Sequence, residues 1–400
     1  MESIKSDVGK SWVNIKVQDF AEVTTGGTPS TTVKEYWENG NIAWLNSGEL
    51  NQDIITQCEN YITEKGLTNS STRIMPKDTV LIALTGATTG VVGYLTFEAC
   101  ANQSVTGILP SEKHHPKFLY YYLKSIRNKI LADAYGGAQK HISQGYVKEL
   151  QIPLPPLPTQ KRIAEILDAA DALRRKDQAL LKKYDELAQA IFIDMFGDPV
   201  KNEKGWEVKE MNDIALKVTD GDHLTPIRSE KGYKLLSCRN VKNGFIDFNA
   251  GLDFVGEDEF QRMFKRCNPE KGDILISCSG TIGRVTQIKI DEKFVLVRSA
   301  ALVKPNRNII NPTYLEYYLQ SDHMQREMLK NANTSSQANL FTGPIKLLPV
   351  LLPDQLLQSN FAEKIKLVEK GKLEVLSNKT KQNSLFNSLI QKAFKGELVN

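Results

Sequence analysis

Short polar segments recur along the chain, and recognition of nucleic-acid bases is the chemistry that they suit. Residues 24–30 read Thr-Thr-Gly-Gly-Thr-Pro-Ser, and residues 136–141 read Gly-Gly-Ala-Gln-Lys-His. Residues 219–226 and 333–339 fall at the matching places in the second half. Their amide, hydroxyl, imidazole and basic groups are those that contact base edges in DNA grooves. The segments therefore favour nucleic-acid contact, although ordinary loops use many of the same residues.

Two glycine-containing turns, residues 85–90 and 279–284, resemble phosphate-binding loops at first sight. Neither ends in the Gly-Lys-Ser/Thr sequence that places the lysine and the magnesium ligand of a P-loop, so nucleotide hydrolysis is not expected. As tight turns whose backbone approaches another surface, they suit contact with DNA phosphates. A purely structural hairpin is the open alternative.

The candidate DNA-binding residues come from these polar segments and turns. In the first half they are Thr25, Gly26, Gly27, Thr28, Ser30, Thr85, Thr88, Gln139, Lys140 and His141. In the second half they are Asp220, Asp222, His223, Thr225, Ser279, Thr281, Arg284, Ser336, Gln337 and Asn339.

Enzymatic readings of the sequence find weak support. The loop 220–223 combines two aspartates with a histidine, but no second cluster accompanies it, so neither catalytic residues nor a metal site are predicted. Asn311-Pro312-Thr313-Tyr314 resembles the short motif of amino-methyltransferases, but a helix N-cap at Asn311 followed by proline explains it better. The five cysteines show no Cys-x-x-Cys spacing and are interpreted as reduced structural thiols.

The elements that position these loops form an internal repeat. Residues 77–82 recur at 272–276, and residues 115–123 recur at 311–319, roughly 195 residues later. We also align Gln160 with Gln355, each opening a helical segment. A repeat of this length indicates duplication of a whole domain rather than a solenoid. The chain therefore reads as globule, long helix, globule, long helix.

The globules are predicted to be α/β, with mixed strands, loops and one prominent helix each, at 118–131 and 314–329. The proline-rich segment 152–158 is expected to be a stiff extended connector. We place the first globule at residues 1–155, a helical spacer at 156–199, the second globule at 200–352 and a second helical spacer at 353–400.

Apolar residues at heptad-like spacing predict that the two spacers form an antiparallel coiled coil. The first seam contains Ile163, Ile166, Ala170, Leu173, Leu180, Tyr184, Leu187 and Ile191. The second contains Phe361, Ile365, Val368, Val375, Phe386, Ile390 and Ala393. A register in which paired residue numbers sum to about 556 aligns the seams. It also places Asp177 opposite Lys379, a polar pair that could fix the register.

Composition sets wide bounds. The 400 residues are 41% hydrophobic and carry a net charge of +4, which permits binding to a polyanion without demonstrating it. Residues 80–97 form an uncharged stretch of eighteen residues. Turn residues interrupt this stretch, so two strands fit better than a membrane span. No signal peptide is recognised at the N-terminus, and a cytoplasmic location is expected.

The layout resembles the specificity subunit of type I restriction-modification systems over nearly its whole length. The resemblance rests on the proline run at 152–160, on Met-Phe-Gly-Asp-Pro at 195–199, on Ala-Phe-Lys-Gly-Glu-Leu at 393–398 and on the helix starts at 118 and 314. It implies two target recognition domains in a pseudo-twofold repeat. Each would read one half of a split double-stranded DNA target.

By the same resemblance, the coiled coil sets the half-site spacing and docks two methyltransferase subunits, with restriction subunits as possible further partners. S-adenosylmethionine, ATP and Mg²⁺ would belong to those partners, and this chain would bind no cofactor. The alternative is a non-catalytic coiled-coil adaptor whose globules bind protein or RNA.

Overall fold

The chain folds into two compact units, described by a computed structural model over residues 12–137, 139–332 and 338–399. The first unit contains the residues up to 178 and those from 377 onward, and the second contains residues 179–376. Each unit thus joins one globule to half of each long helix. Within each unit, helix and sheet share a common core.

Among its described residues, the first unit contains ten strands, the start of the first long helix and the end of the second. The strands are β1 (Val13–Lys16), β2 (Val23–Thr25), β3 (Ile42–Leu45), β4 (Ile54–Ile55), β5 (Asn60–Ile62), β6 (Val80–Ala83), β7 (Val92–Leu95), β8 (Cys100–Ala101), β9 (Val105–Ile108) and β10 (Gln151–Leu154). The helices are α1 (Val17–Phe20), α2 (Glu64–Thr68), α3 (Pro116–Ser125), α4 (Arg127–Asp133), α5 (Gln144–Glu149) and α6 (Leu157–Phe196). Short 3₁₀ turns cover Lys34–Tyr36, Ser47–Gln52 and Gly86–Thr88.

The second unit repeats this order. Its strands are β11 (Glu207–Glu210), β12 (Ala215–Asp220), β13 (Arg228–Ser229), β14 (Tyr233–Leu236), β15 (Val241–Lys242), β16 (Phe245–Ile246), β17 (Asp253–Val255), β18 (Ile274–Ser277), β19 (Val285–Gln287), β20 (Phe294–Leu296), β21 (Ala300–Pro305) and β22 (Pro349–Leu352). Its helices are α7 (Met211–Ile214), α8 (Glu257–Arg266), α9 (Pro312–Gln320), α10 (Asp322–Lys330), α11 (Thr342–Lys346) and α12 (Gln355–Phe394).

Corresponding strands form corresponding sheets in the two units. The order β2-β9-β6-β7 of the first unit, extended by β4, matches β12-β21-β18-β19 of the second. Strands β6 and β18 are buried along their whole length, which explains their continuous apolar sequences. The predicted α/β fold in two copies and the predicted pair of strands at 80–97 are confirmed, and β18 and β19 form the same hairpin in the second unit.

Two local predictions were wrong. The prominent helix of each globule is two helices, α3 with α4 and α9 with α10, rather than one. Ser321 breaks the second pair, because its extended backbone lets its side chain accept a hydrogen bond from the Met324 N–H. The predicted N-cap at Asn311 is confirmed, since its side chain accepts from the Thr313 N–H at 2.9 Å.

The proline-rich connector is also more ordered than predicted. Residues Gln151–Leu154 form strand β10, which pairs antiparallel with β1 and sets Pro153 opposite Asn14. A two-stranded sheet leaves the outer edge of each strand without a partner, so a proline fits there. Pro158 lies in the first turn of α6, where its missing N–H costs nothing.

Within each unit the two long helices run antiparallel. In the first unit Arg174 donates to the side chain of Asn383 at 2.8 Å and stacks 4.4 Å from the Phe386 ring. In the second unit Lys372 pairs with Asp185. Both pairs agree with the predicted register to about one residue. None of the helices among the described residues is long and apolar enough to span a membrane.

The predicted seam of α12 is confirmed, but that of α6 was partly wrong. Phe361, Ile365, Val368, Val375, Phe386 and Ala393 are buried. In α6, however, Leu173, Leu180 and Leu187 are exposed, whereas Leu167, Ala188 and Phe192 are buried. Ile163 and Ala170 of the predicted seam are buried, so the prediction for α6 fails at the three leucines, where packing against the globules buries a neighbouring apolar stripe instead.

The predicted polar pair in the seam is not formed. Asp177 makes no ion pair with Lys379 among the ion pairs of the described residues, and its Oδ2 is buried without a hydrogen-bond partner. The polar contacts across the helices are instead those of Arg174 and Lys372.

Aromatic side chains fasten each globule to the long helices, forming what we term the aromatic junction of each unit. In the first unit the rings of Phe118 and Phe394 lie 5.5 Å apart, and those of Tyr121 and Phe386 lie 6.0 Å apart. The second unit uses the equivalent contacts, with Phe196 to Tyr314 at 4.7 Å, Phe196 to Phe361 at 5.2 Å and Tyr317 to Phe361 at 5.5 Å. Burial and edge-to-face geometry both stabilise such contacts.

A buried glutamine in the first turn of each long helix completes this attachment. Gln160 accepts the His115 N–H at 2.8 Å and donates to the Pro155 carbonyl at 2.8 Å. Gln358 likewise accepts the N–H of Asn311 at 2.7 Å and donates to Pro353 at 2.7 Å. The structural equivalent of Gln160 is therefore Gln358, and the sequence alignment with Gln355 was wrong by three residues.

Replacing either buried glutamine should destabilise its own unit. Gln160→Ala or Gln358→Ala leaves a buried N–H and a buried carbonyl unpaired, which costs about 1–3 kcal/mol for each group. We expect the corresponding thermal transition to shift to lower temperature in scanning calorimetry.

Gln355→Ala is the matched control, because Gln355 lies in the same turn of α12 but is exposed. Its effect should stay within about 0.5 kcal/mol. Equal effects of Gln355→Ala and Gln358→Ala would contradict the role assigned to the buried amide.

Candidate nucleic-acid interface

Four loops meet at one end of the main sheet of each unit, which we term the loop edge. In the first unit β2 and β6 end there and β7 and β9 begin there, so the loops around residues 26–30, 84–91, 102–104 and 135–141 are neighbours. In the second unit the corresponding loops are 221–227, 278–284, 297–299 and the described residues 338–340. Six segments singled out in the sequence thus reach these two edges, the segment 333–339 through its described residues 338 and 339.

The same backbone hydrogen bonds tie the loops together in both units. The Leu84 N–H donates to the backbone carbonyl of Ser104 at 2.7 Å, and the Ile142 N–H donates to the Leu84 carbonyl at 2.9 Å. In the second unit Cys278 N–H donates to Ser299 and Leu340 N–H donates to Cys278, each at 2.8 Å. These bonds of the frame are therefore common to both copies, whereas the side chains around them differ.

In the first unit the structure brings most of the predicted residues together. Thr25 and Thr85 hydrogen-bond to the hydroxyls of Thr106 and Ser104 at 2.8 and 2.9 Å. The Lys140 carbonyl accepts from Gly86 N–H at 3.1 Å, and His141 forms a β-bridge with Thr85. Gln139 and the Lys140 side chain are exposed beside them, and Thr88 closes the same turn by donating to the Thr85 carbonyl at 3.2 Å.

Three predicted residues of the first unit do not fit a role in base contact. Gly26 and Gly27 are buried, and a Cβ on either would overlap the backbone at Ala101 or Thr72. They are glycines because two backbone segments pass too closely for a side chain. Ser30 is exposed but bonds to Thr32 at 2.9 Å, and it lies further along the loop than Thr28.

In the second unit a charged network supports the loop that follows β12. Asp220 contacts His223 Nε2 at 2.7 Å and Arg266 at 3.0 Å. Asp222 contacts Arg262 at 2.5 Å, and Arg262 also pairs with Glu259 at 2.8 Å. Asp222 is only 6% exposed. The Asp222 carboxylate thus holds the loop in place, and the assignment of Asp222 to DNA binding stays a prediction.

The other predicted residues of the second unit are divided. Thr225 and Thr281 are exposed, Arg284 is half-buried, and Ser279 forms a β-bridge with Asn339 across two loops of the edge. Ser336 and Gln337 lie outside the described residues.

Sequence reasoning missed side chains in two equivalent loops, the one that precedes β9 and the one that precedes β21. The Thr28 hydroxyl donates to the side-chain carbonyl of Gln103. Arg298 is exposed, and its backbone N–H donates to the backbone carbonyl of Asp222 at 3.0 Å. Gln103-Ser104 and Arg298-Ser299 occupy equivalent places in the two copies. The repeat offset of about 195 residues would have aligned them, had the short loop been treated as a candidate.

The chemistry of the edges suits hydrogen bonding rather than nucleophilic or metal chemistry. Burial raises the pKa of Cys278 to about 12, so its thiol is neutral at the base of the edge. Among the described residues, no group of three or more His, Cys, Asp or Glu side chains could hold a metal ion. Exposed cations without an ion-pair partner in the described part of the chain, among them Lys140, Arg239 and Arg298, surround the loops.

The model of the Type I restriction modification DNA specificity domain matches this chain twice, at residues 9–183 and 203–389. The specificity subunit of the type I restriction enzyme MjaIX from Methanocaldococcus jannaschii is 28% identical over 98% of this chain and 96% of its own length. That of EcoR124I/EcoR124II from Escherichia coli is 31% identical over 41% of this chain and 42% of its own length.

Solved structures agree in fold. The S subunit of a type I restriction-modification system from M. genitalium superimposes with a TM-score of 0.59 at 17% identity, covering 98% of both chains. A chain from a study of complex assembly and conformational transition of the type I R-M system gives a TM-score of 0.51 at 14% identity, covering 98% of this chain and 100% of its own.

The turn glycine after β12 offers a test of the common frame. Gly221→Ala should destabilise the second unit by about 1–3 kcal/mol, because the added Cβ would overlap the backbone of Leu296 and Val297. Gly26→Ala should do the same to the first unit. Thermal unfolding of the purified chain measures both effects.

Gly343→Ala is the matched control, since a Cβ at Gly343 meets nothing within 4 Å. Unchanged stability of both Gly221→Ala and Gly26→Ala would show that the loops are not packed as described.

Proposed function

Because this chain belongs to the family of type I restriction-modification DNA specificity subunits, we propose that its two units read the two unlike halves of a split DNA sequence. The observation that carries this proposal is the loop edge, which repeats the same backbone frame in both units with different side chains. A common frame positions the loops on DNA in a similar way. Different side chains then select different bases.

Base recognition is assigned to the exposed polar groups of each edge. Gln139 and Gln103 offer amides in the first unit, and His223 and Arg298 offer an imidazole and a guanidinium in the second. Amide side chains pair well with adenine and guanidinium groups pair well with guanine in the major groove. The two units should therefore prefer different bases at equivalent positions.

Phosphate contact is assigned to the exposed cations around the edges. Lys140 lies at the edge of the first unit, and Arg239 lies in the turn after β14 of the second. Contacts of this kind orient a protein on DNA without selecting sequence, and they weaken as salt concentration rises.

The paired helices supply the spacer and the dock for partner subunits. Leu180 and Leu187 of α6 and Leu373 and Leu376 of α12 are exposed in the second unit, although their neighbours form a buried seam. Exposed leucines spaced by about one or two helical turns suit packing against helices of another protein. We propose that two methyltransferase subunits cover such leucines, with restriction subunits joining the larger complex.

The reactions are assigned to those partners. Methylation of adenine would draw on S-adenosylmethionine bound by the methyltransferase subunits, and cleavage would draw on ATP and Mg²⁺ bound by restriction subunits. This chain contributes the selection of sequence.

Single substitutions at the edges should act on one half of the target only. Gln103→Ala should relax the first-unit half-site, and Arg298→Ala should relax the second-unit half-site, each at one position by roughly 5- to 150-fold. Long-read sequencing that detects methylated adenine, in cells expressing each variant with its methyltransferase, measures the change.

The two variants control for each other, since each must leave the other half-site intact. A variant that relaxed both halves, or both variants acting on the same half, would contradict the assignment of one half-site to each unit.

The spacer should set the gap between the half-sites. Inserting four residues after Lys176, with a matching insertion after Asn378, lengthens both helices by about 6 Å at 1.5 Å per residue. That corresponds to roughly two base pairs at 3.4 Å each, so the methylated motif should acquire a longer gap.

The same four residues inserted after Lys201, in an exposed turn beyond the end of α6, should leave the gap unchanged. If the helix insertions gave methylation with the original gap, the spacer would not act as a ruler.

A further inference from the structure

One exposed histidine in the second unit is held in a defined orientation by a carboxylate. His223 Nε2 lies 2.7 Å from Asp220 Oδ2, and the histidine side chain is 55% exposed. The other oxygen of Asp220 accepts from Arg266 at 3.0 Å. The aspartate is therefore fixed from two sides, and it fixes the imidazole in turn.

This contact determines which ring nitrogen carries the proton. An ionised carboxylate accepts hydrogen bonds and cannot donate them, so Nε2 is the protonated nitrogen. In the tautomer with the proton on Nε2, this single bond uses the N–H of the ring. Nδ1 then keeps a free lone pair, and within the described residues no hydrogen bond reaches it. The loop therefore presents His223 Nδ1 to a ligand as a hydrogen-bond acceptor.

Because Nδ1 of His223 is an acceptor, several groups of DNA are excluded as its hydrogen-bond partners. Phosphate oxygens, guanine O6 and N7, and thymine O4 are acceptors themselves, so they would face the Nδ1 lone pair without a proton between them. The exocyclic amines of adenine and cytosine are the donors that the major groove offers.

Apolar side chains beside His223 distinguish between these two amines. Leu224 and Ile227 are 65% and 76% exposed on the same loop. Their backbone N–H groups are anchored at 3.1 Å to Asp222 and Glu259, the two carboxylates that Arg262 joins. A rigid loop thus holds apolar surface next to the acceptor. The 5-methyl group of thymine is the apolar feature of the major groove, and only an A·T pair combines it with an amine.

We propose that the loop 221–227 reads an A·T base pair in the half-site of the second unit. His223 Nδ1 accepts from the adenine N6 amine, and Leu224 contacts the thymine methyl group. The proposal rests on the proposed function and names one of the bases that it selects. The first unit carries Thr28 and Pro29 at the matching places, so the same reading is not repeated there.

Three variants of His223, expressed with the methyltransferase, test the assignment by long-read mapping of methylated adenine. His223→Ala should make one A·T position of the second half-site degenerate, by roughly 5- to 150-fold, with the first half-site unchanged. His223→Gln retains an acceptor and should retain the adenine preference. His223→Lys offers only donors and should disfavour adenine at that position.

Controls separate this inference from the proposed function. His323→Ala replaces another histidine of the same unit, in the first turn of α10 and outside the loop 221–227, and should leave the motif unchanged. Absence of any split motif with the unsubstituted chain would overturn the proposed function. A split motif that keeps full selectivity in His223→Ala, or that relaxes at a G·C position, would overturn the inference alone.

Discussion

The aromatic junction in each unit is the contact on which the rest of the fold depends. A long helix with an apolar stripe must bury that stripe, and here the stripe faces both the other long helix and a short helix of the globule. Phe118 and Tyr314 fill equivalent places in that junction, and the buried amides of Gln160 and Gln358 satisfy the backbone groups beside them. Each loop edge is thereby built on a sheet whose packing is fixed to the helices, so that the position of the recognition loops follows from the core.

Duplication kept this core and allowed the rest to diverge. The first unit supports its short helix α3 with Asp168, which accepts from Tyr121 at 2.7 Å and pairs with Lys117 at 2.5 Å. The second unit uses Lys289, placed between Glu316 at 3.2 Å and Glu369 at 2.6 Å, and burial raises the pKa of Glu316. Because the frame tolerates such exchanges under the loops, it tolerates still larger ones at their tips. Divergence at the tips is what two unlike half-sites require.

The sequence predicted most of what depends on period and repetition. The two copies, the hairpins, the α12 seam and the pairing register follow from apolar spacing and from a repeat of about 195 residues. The exposure of Leu173, Leu180 and Leu187 in α6 did not follow, because apolar residues occur on two faces of that helix and only packing against the globules decides which face is buried. Among the candidate contacts, Gly26 and Asp222 were chosen for residue type. In the structure Gly26 allows two backbone segments to pack closely, and Asp222 pairs with Arg262 to hold its loop. Arg298 was missed because it sits in a short loop between strands.

The most direct measurement of the central claim is a map of methylated adenine in the source cell with this gene, without it, and with it restored. The account predicts that deletion abolishes methylation at one split motif, with two unlike halves and a fixed gap, and that restoring the gene returns methylation at that motif. If methylation at every split motif persisted after the gene was deleted, the assignment of sequence selection to this chain would be contradicted.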